Sequence, residues 1–86
     1  LVRLMPNKLR ILSGRKIVKF LERNGFITYS THGSHLKLKR ILNDRTQILV
    51  IPLHKEIAKG TLRDIYSQAL EYFPESTELR DFFFTD

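Results

Sequence analysis

HLKLKRIL, at residues 35 to 42, places apolar and basic side chains alternately at its start and sits between two tight-turn signals. A period of two suits a strand with one buried face and cannot serve a helix, whose apolar residues recur every three or four positions. Upstream, FITYST at Phe26 to Thr31 is β-branched and aromatic, and it is joined through HGS, where Gly33 can take positive φ. Downstream, NDR at Asn43 to Arg45 supplies a second turn and TQILVI, Thr46 to Ile51, a third strand. Three short strands in succession with tight turns make an antiparallel meander, one face of which needs a cover.

The flanking segments supply it. Ser13 is a good N-cap, Ile17, Val18, Phe20 and Leu21 recur at helical spacing, and Asn24-Gly25 is a left-handed stop, so a helix is expected over Gly14 to Asn24. After a polar, basic loop from Leu53 to Gly60, the residues Leu62, Ile65, Tyr66, Ala69, Leu70 and Phe73 line one helical face. Thr61 with Asp64 three residues on resembles a capping box, and Pro74 is expected to end this helix. Leu79, Phe82 and Phe83 suit one further short helix on the core. The expected fold is therefore α+β, in the order α-β-β-β-α with a short C-terminal helix, both main helices covering one face of a three-stranded antiparallel sheet. Double-stranded RNA-binding domains have this order, although order alone does not assign a function. Residues 1–86 are read as one domain with a modest core. Within it, Leu1 to Leu4, ahead of Met5-Pro6, are read as extra N-terminal residues and 75–86 as a C-terminal extension.

Charge narrows the partner. Residues 1–63 hold fourteen Lys and Arg against three carboxylates, a net +11, while residues 64–86 hold one Arg against six, a net −5. A basic body with an acidic tail suits a polyanion, although a merely solvated basic surface gives the same count. The longest apolar runs, such as ILVIPL, are far too short to cross a bilayer, so no membrane partner is expected. Without cysteine there are no disulfides and no thiolate ligands, which points to a cytoplasmic setting.

Within the meander, Leu36 and Leu38 face one way, and His35, Lys37 and Lys39 the other. With the leucines inward, His35 lies exposed beside two ammonium groups, where a neutral imidazole could take a proton from an RNA 2′-hydroxyl. Position alone favours an ordinary polar strand residue. Lys59 and Arg63 bracket the start of the second helix, where cations oppose the helix dipole, so with Lys55 they form a candidate phosphate site. Lys16, Lys19 and Arg23, with Arg15 alongside, form a basic stripe on the first helix. Zinc is a poor match for His32, His35 and His54, because cysteines are absent, acids are few and the surroundings are basic, so no metal or other cofactor is expected. Ser34 and His35 are adjacent on a strand and project to opposite faces, which argues against a serine–histidine pair.

Four blocks carry a resemblance: SGRKIVKFLERNGF at Ser13 to Phe26, GSHLKL at Gly33 to Leu38, IPLH at Ile51 to His54 and KGTLRDIYSQA at Lys59 to Ala69. In this order and spacing, over about residues 9 to 73, the chain resembles the HicA (YcfA-like) toxins. The resemblance implies a double-stranded-RNA-binding-like fold and a metal-free mRNA endoribonuclease held inactive by a HicB-type antitoxin protein. It also implies that His35 is the catalytic residue, that Gly33 makes the turn presenting it, and that His54 is an auxiliary histidine. The aromatic Phe82 to Phe84 and the acidic PESTELRD depart from the family's usual end.

On this basis His35 is expected to act as general base or acid, Lys37 to stabilise the phosphorane-like transition state, and Lys39, Lys55, Lys59 and Arg63 to hold the RNA backbone. The second proton transfer falls to water, Lys37 or His54, and the sequence does not choose. The alternative is a non-catalytic module binding double-stranded RNA; a third, motivated by the acidic tail and an exposed Phe82 to Phe84, is a protein-interaction module whose basic face docks an acidic partner. The basic face is expected to serve RNA and antitoxin alike.

Overall fold

The computed structural model describes residues 7–74 and 77–86; the reading of residues 1 to 4, with Met5 and Pro6, and that part of PESTELRD at Glu75 and Ser76 lie outside them. The order is β1 (Lys8–Leu9), α1 (Gly14–Arg23), β2 (Ile27–His32), β3 (His35–Leu42), β4 (Arg45–Pro52), α2 (Lys59–Leu70), α3 (Thr77–Phe83) and β5 (Phe84–Thr85). β2, β3 and β4 form the antiparallel meander in that spatial order, so the expected α-β-β-β-α domain is present. Both connections are two-residue hairpins. Asn43 and Asp44 take φ of 52° and 64°, the double positive φ of a type I′ turn, which Asn and Asp tolerate best after Gly.

The strand alternation decides which face is covered. Leu38, Leu49 and Ile51 point inward with almost no exposure, and Ile17, Phe20 and Leu21 of α1 pack over them with Leu62, Ile65 and Ala69 of α2. α1 starts at Ser13, whose Oγ accepts from the Lys16 N–H at 3.2 Å. It ends in a Schellman arrangement, the N–H groups of Gly25 and Phe26 donating to Glu22 and Leu21 carbonyls at 3.1 and 3.0 Å.

Several expectations need correction. α2 begins at Lys59 with Ala58 as its N-cap and no side-chain cap, so Thr61 and Asp64 do not form a capping box. Buried Ile57, whose N–H donates to the Leu12 carbonyl at 2.9 Å, fixes where the chain enters the helix three residues earlier than the cap signal suggests. The same helix stops at Leu70, ahead of Pro74. Beyond it the Tyr72 hydroxyl accepts from the Ile48 N–H at 3.3 Å and donates to the Ile48 carbonyl at 3.4 Å, occupying part of the outer edge of β4.

The C-terminal segment is core, not exposed surface. Leu79 and Phe83 are fully buried, and Phe82 stacks on Phe20 with ring centroids 4.3 Å apart. Phe84 is half-buried and pairs with Leu9, while Lys8 pairs with Thr85, in a two-stranded ribbon that the sequence reading did not include. Phe82 to Phe84 are therefore not the exposed aromatic run that the sequence suggested.

The alternation that buries Leu38 also turns Arg40 inward. Its guanidinium lies 4.7 Å from the ring centroids of both Phe26 and Phe73 and donates to Gln47 Oε1, the Asn24 carbonyl and the Tyr72 carbonyl at 2.7, 2.9 and 3.0 Å. Desolvation lowers its pKa from the ordinary arginine value. Arg40→Met keeps the stem's packing and leaves three acceptors without their donor. At this partly exposed site it should cost about 1 to 2 kcal/mol, a fall in Tm of roughly 5 to 15 °C by thermal melting.

Candidate active site

The hairpin joining β2 to β3 is shorter than the sequence implies, because His32 and His35 pair directly and only Gly33 and Ser34 form the loop. Gly33 takes φ of 60° with open space around it, and positive φ at the first central residue alone is the type II′ pattern that favours glycine there. His35 is thus the first residue of β3, exposed at the end of the sheet and opposite Pro52 on the other side. Lys37 and Lys39 follow it on the open face, half-buried, their ammonium groups 5.9 and 5.0 Å from the Tyr29 ring centroid.

His54 comes from beyond β4 and is held by backbone alone. The Leu53 N–H donates to the Ser34 carbonyl at 2.6 Å, which continues the ladder past Pro52, and the Gly14 N–H donates to the His54 carbonyl at 2.9 Å. Gly14 is buried against this segment. A Cβ built there overlaps the Pro52 carbonyl oxygen and lies 2.9 Å from Leu53 Cα, so only glycine lets the start of α1 approach this closely. The result is that the His35 and His54 rings lie edge to face, 6.4 Å between centroids with 70° between planes. Sequence reading named both histidines without a reason to bring them together.

Beside His54 is a small cleft of about 150 Å³ lined by Ser13, Arg15, Leu53, His54 and Lys55. Through Arg15 and Leu53 it adjoins a larger one of about 350 Å³ lined also by Val18, Lys19, Glu22 and Leu36. Lys55 therefore joins the histidine pair. Lys59 and Arg63 stand at the exposed start of α2 and line neither cleft. Arg15 was read only as a neighbour of the helix stripe; its place two residues after the Ser13 cap, where α1 meets the His54 loop, is what gives it a different role.

The open face of the sheet is the other unusual surface. Ile27, Tyr29, Ile41, Ile48 and Val50 are 41 to 66% exposed and interleave with Lys37 and Lys39; Ile48 is opposite Lys39, and Val50 opposite Lys37. Among the described residues there is no group of three or more His, Asp or Glu arranged to hold a metal ion. No helix among them is long and apolar enough to cross a membrane.

A protein-family model described as "HicA toxin of bacterial toxin-antitoxin" matches residues 14–70. That span runs from the first residue of α1 to the last of α2 and includes every candidate residue above except Ser13, while β1, α3 and β5 fall outside it. No curated protein and no solved structure matches the chain.

Proposed function

The chain belongs to the HicA toxin family, the toxin half of a bacterial toxin–antitoxin pair, and from that premise we propose that it is a metal-independent endoribonuclease that cleaves mRNA, with His35 moving the proton. The observation that carries this reading is the place of His35: exposed at the end of a two-residue hairpin, on the same face as two ammonium groups. His35 takes the proton from a 2′-hydroxyl, the freed oxygen attacks the adjacent phosphorus, and the 5′-oxygen leaves with a proton. The products are a 2′,3′-cyclic phosphate and a 5′-hydroxyl. Lys37 offsets charge on the pentacoordinate phosphorus, and Lys39, Lys55, Lys59 and Arg63 hold the backbone on either side.

Incubation of the purified protein with RNA in the presence of a chelator tests this. Cleavage at an unchanged rate, with cyclic-phosphate ends, is the expected outcome. Retardation of duplex RNA with no product on long incubation would instead favour the non-catalytic RNA-binding module.

Membership of a toxin–antitoxin family implies an antitoxin partner. We take this to be a HicB-type protein that covers the open sheet face. Ile27, Ile41, Ile48 and Val50 are aliphatic, the Tyr29 ring beside them is covered by the Lys37 and Lys39 ammonium groups, and these lysines, with no acid on the same face, suit an acidic and apolar protein surface. A second copy of this chain would oppose lysines to lysines. Ile41→Glu with Ile48→Glu is expected to weaken antitoxin binding by at least about 100-fold, read by calorimetry, with circular dichroism checking that the variant folds like the parent. Unchanged antitoxin affinity would place the partner elsewhere.

A further inference from the structure

Cleavage by 2′-hydroxyl attack moves two protons, one off the nucleophile and one onto the leaving 5′-oxygen. These oxygens stand on opposite sides of the phosphorus, so one imidazole is not placed to serve both in a single in-line step. We infer that His54 is the second proton-transfer group, donating to the 5′-oxygen, and that the scissile phosphate sits against both histidine rings at the mouth of the cleft lined by Ser13, Arg15, His54 and Lys55. This rests on the endoribonuclease reading above.

The geometry fits the task. Each imidazole nitrogen reaches about 3 Å to its oxygen, and rings 6.4 Å apart bracket a single phosphate group. Both are fixed through their backbones, His35 by the hairpin and the Pro52 pairing, His54 by the Gly14 N–H and the extra rung at Leu53. Their exposed side chains remain able to turn toward a substrate. His32 is opposite His35 in register, but the ring lying against His35 is that of His54. Lys37, the other group the sequence left open for this transfer, has its ammonium 5.9 Å from the Tyr29 ring centroid, whereas His54 both lines the cleft and lies against His35.

Arg15 and Lys55 give the cleft its ligand class. A guanidinium offers two parallel donors to phosphate oxygens, and a cation beside the reacting phosphorus gains most when charge builds up there. The adjoining cleft has Val18, Leu36 and Leu53 as apolar lining and Arg15 and Lys19 as cations against one carboxylate, Glu22, which suits the base of a flanking nucleotide with its phosphate toward Arg15 and Lys19. The occupant is thus an RNA phosphodiester with one nucleotide beside it. Histidine and arginine then divide the work, His54 supplying a proton and Arg15 a fixed positive charge.

A leaving group that needs no proton separates these roles. The substrates are an RNA oligonucleotide carrying a cut site mapped with the parent protein, and the same oligonucleotide with sulfur replacing the bridging 5′-oxygen at that site. His54→Ala keeps the backbone carbonyl that receives Gly14, so the fold is retained, and circular dichroism checks it. It is expected to lose about 100-fold on the oxygen substrate and to stay within about threefold of the parent on the sulfur substrate. Arg15→Ala is expected to lose on both, and His32→Ala on neither. An equal loss on both substrates for His54→Ala would make it a contact and overturn the assignment, as would no loss on either, or sulfur rescue appearing at His32 instead. If the parent gives no cut site to map on any RNA, the endoribonuclease reading itself falls, and this assignment with it.

Discussion

The His35→Ala chain is expected to fold like the parent and to cleave RNA about 100- to 10,000-fold more slowly, the usual cost of losing a general acid or base. Its side chain is exposed and outside the core, and its backbone role as the first residue of β3 survives the substitution. Stability should therefore move by no more than a few tenths of a kcal/mol, and Tm and circular dichroism should match the parent. The kinetic loss corresponds to roughly 3 to 5 kcal/mol of transition-state stabilisation, which no surface packing change at this position supplies. Single-turnover rates on RNA read it directly, and induced expression reads it in cells, where growth arrest with RNA loss is expected from the parent alone. A His35→Ala rate within a few-fold of the parent would remove His35 from the chemistry. His32→Ala serves as a neighbour control, since it keeps the hairpin and the local charge.

The alternation at Leu36 to Lys39 was enough to place His35 and its lysines on an open face, because a strand's period directly states which side is buried. The same rule, carried one residue further, puts Arg40 on the covered side, but a cation there reads as surface until Phe26, Phe73 and the Tyr72 carbonyl are seen to enclose it. Local signals failed where a distant contact decided the outcome. The spacing of Thr61 and Asp64 was a sound cap signal, overridden by the tie between Ile57 and Leu12. β1 and β5, each two residues long, are too short to show any period, and Phe82 to Phe84 gave no sign of which side they would pack on. The site divides in the same way. His35 follows from strand geometry and the hairpin, whereas the approach of His54 and Arg15 depends on contact between Gly14 and residues 52–54, nearly forty positions away.

That contact makes Gly14→Ala the other large expected effect, and its sign tells packing from propensity. Gly14 is the first residue of α1, where alanine's better helix propensity would add up to about 1 kcal/mol if nothing else mattered. The new Cβ instead meets the Pro52 carbonyl and the Leu53 Cα, both backbone, so neither can swing aside as a side chain would. Either α1 or the 52–54 segment must move, and the Gly14 to His54 hydrogen bond lengthens with it. Overpacking and the lost bond together should cost about 2 to 4 kcal/mol, a fall in Tm of roughly 10 to 25 °C. Gly60 supplies the contrast: it also lies in a first helical turn, but nothing is within 4 Å of a Cβ there and its φ is not positive. Gly60→Ala should therefore leave stability unchanged or raise it by a few tenths of a kcal/mol. Thermal or urea unfolding of the two variants is expected to give opposite signs or a wide gap, and equal small effects would show that the approach at Gly14 can relax. The folded fraction of Gly14→Ala should also cleave RNA more slowly than the parent, because the displaced segment carries His54 away from His35.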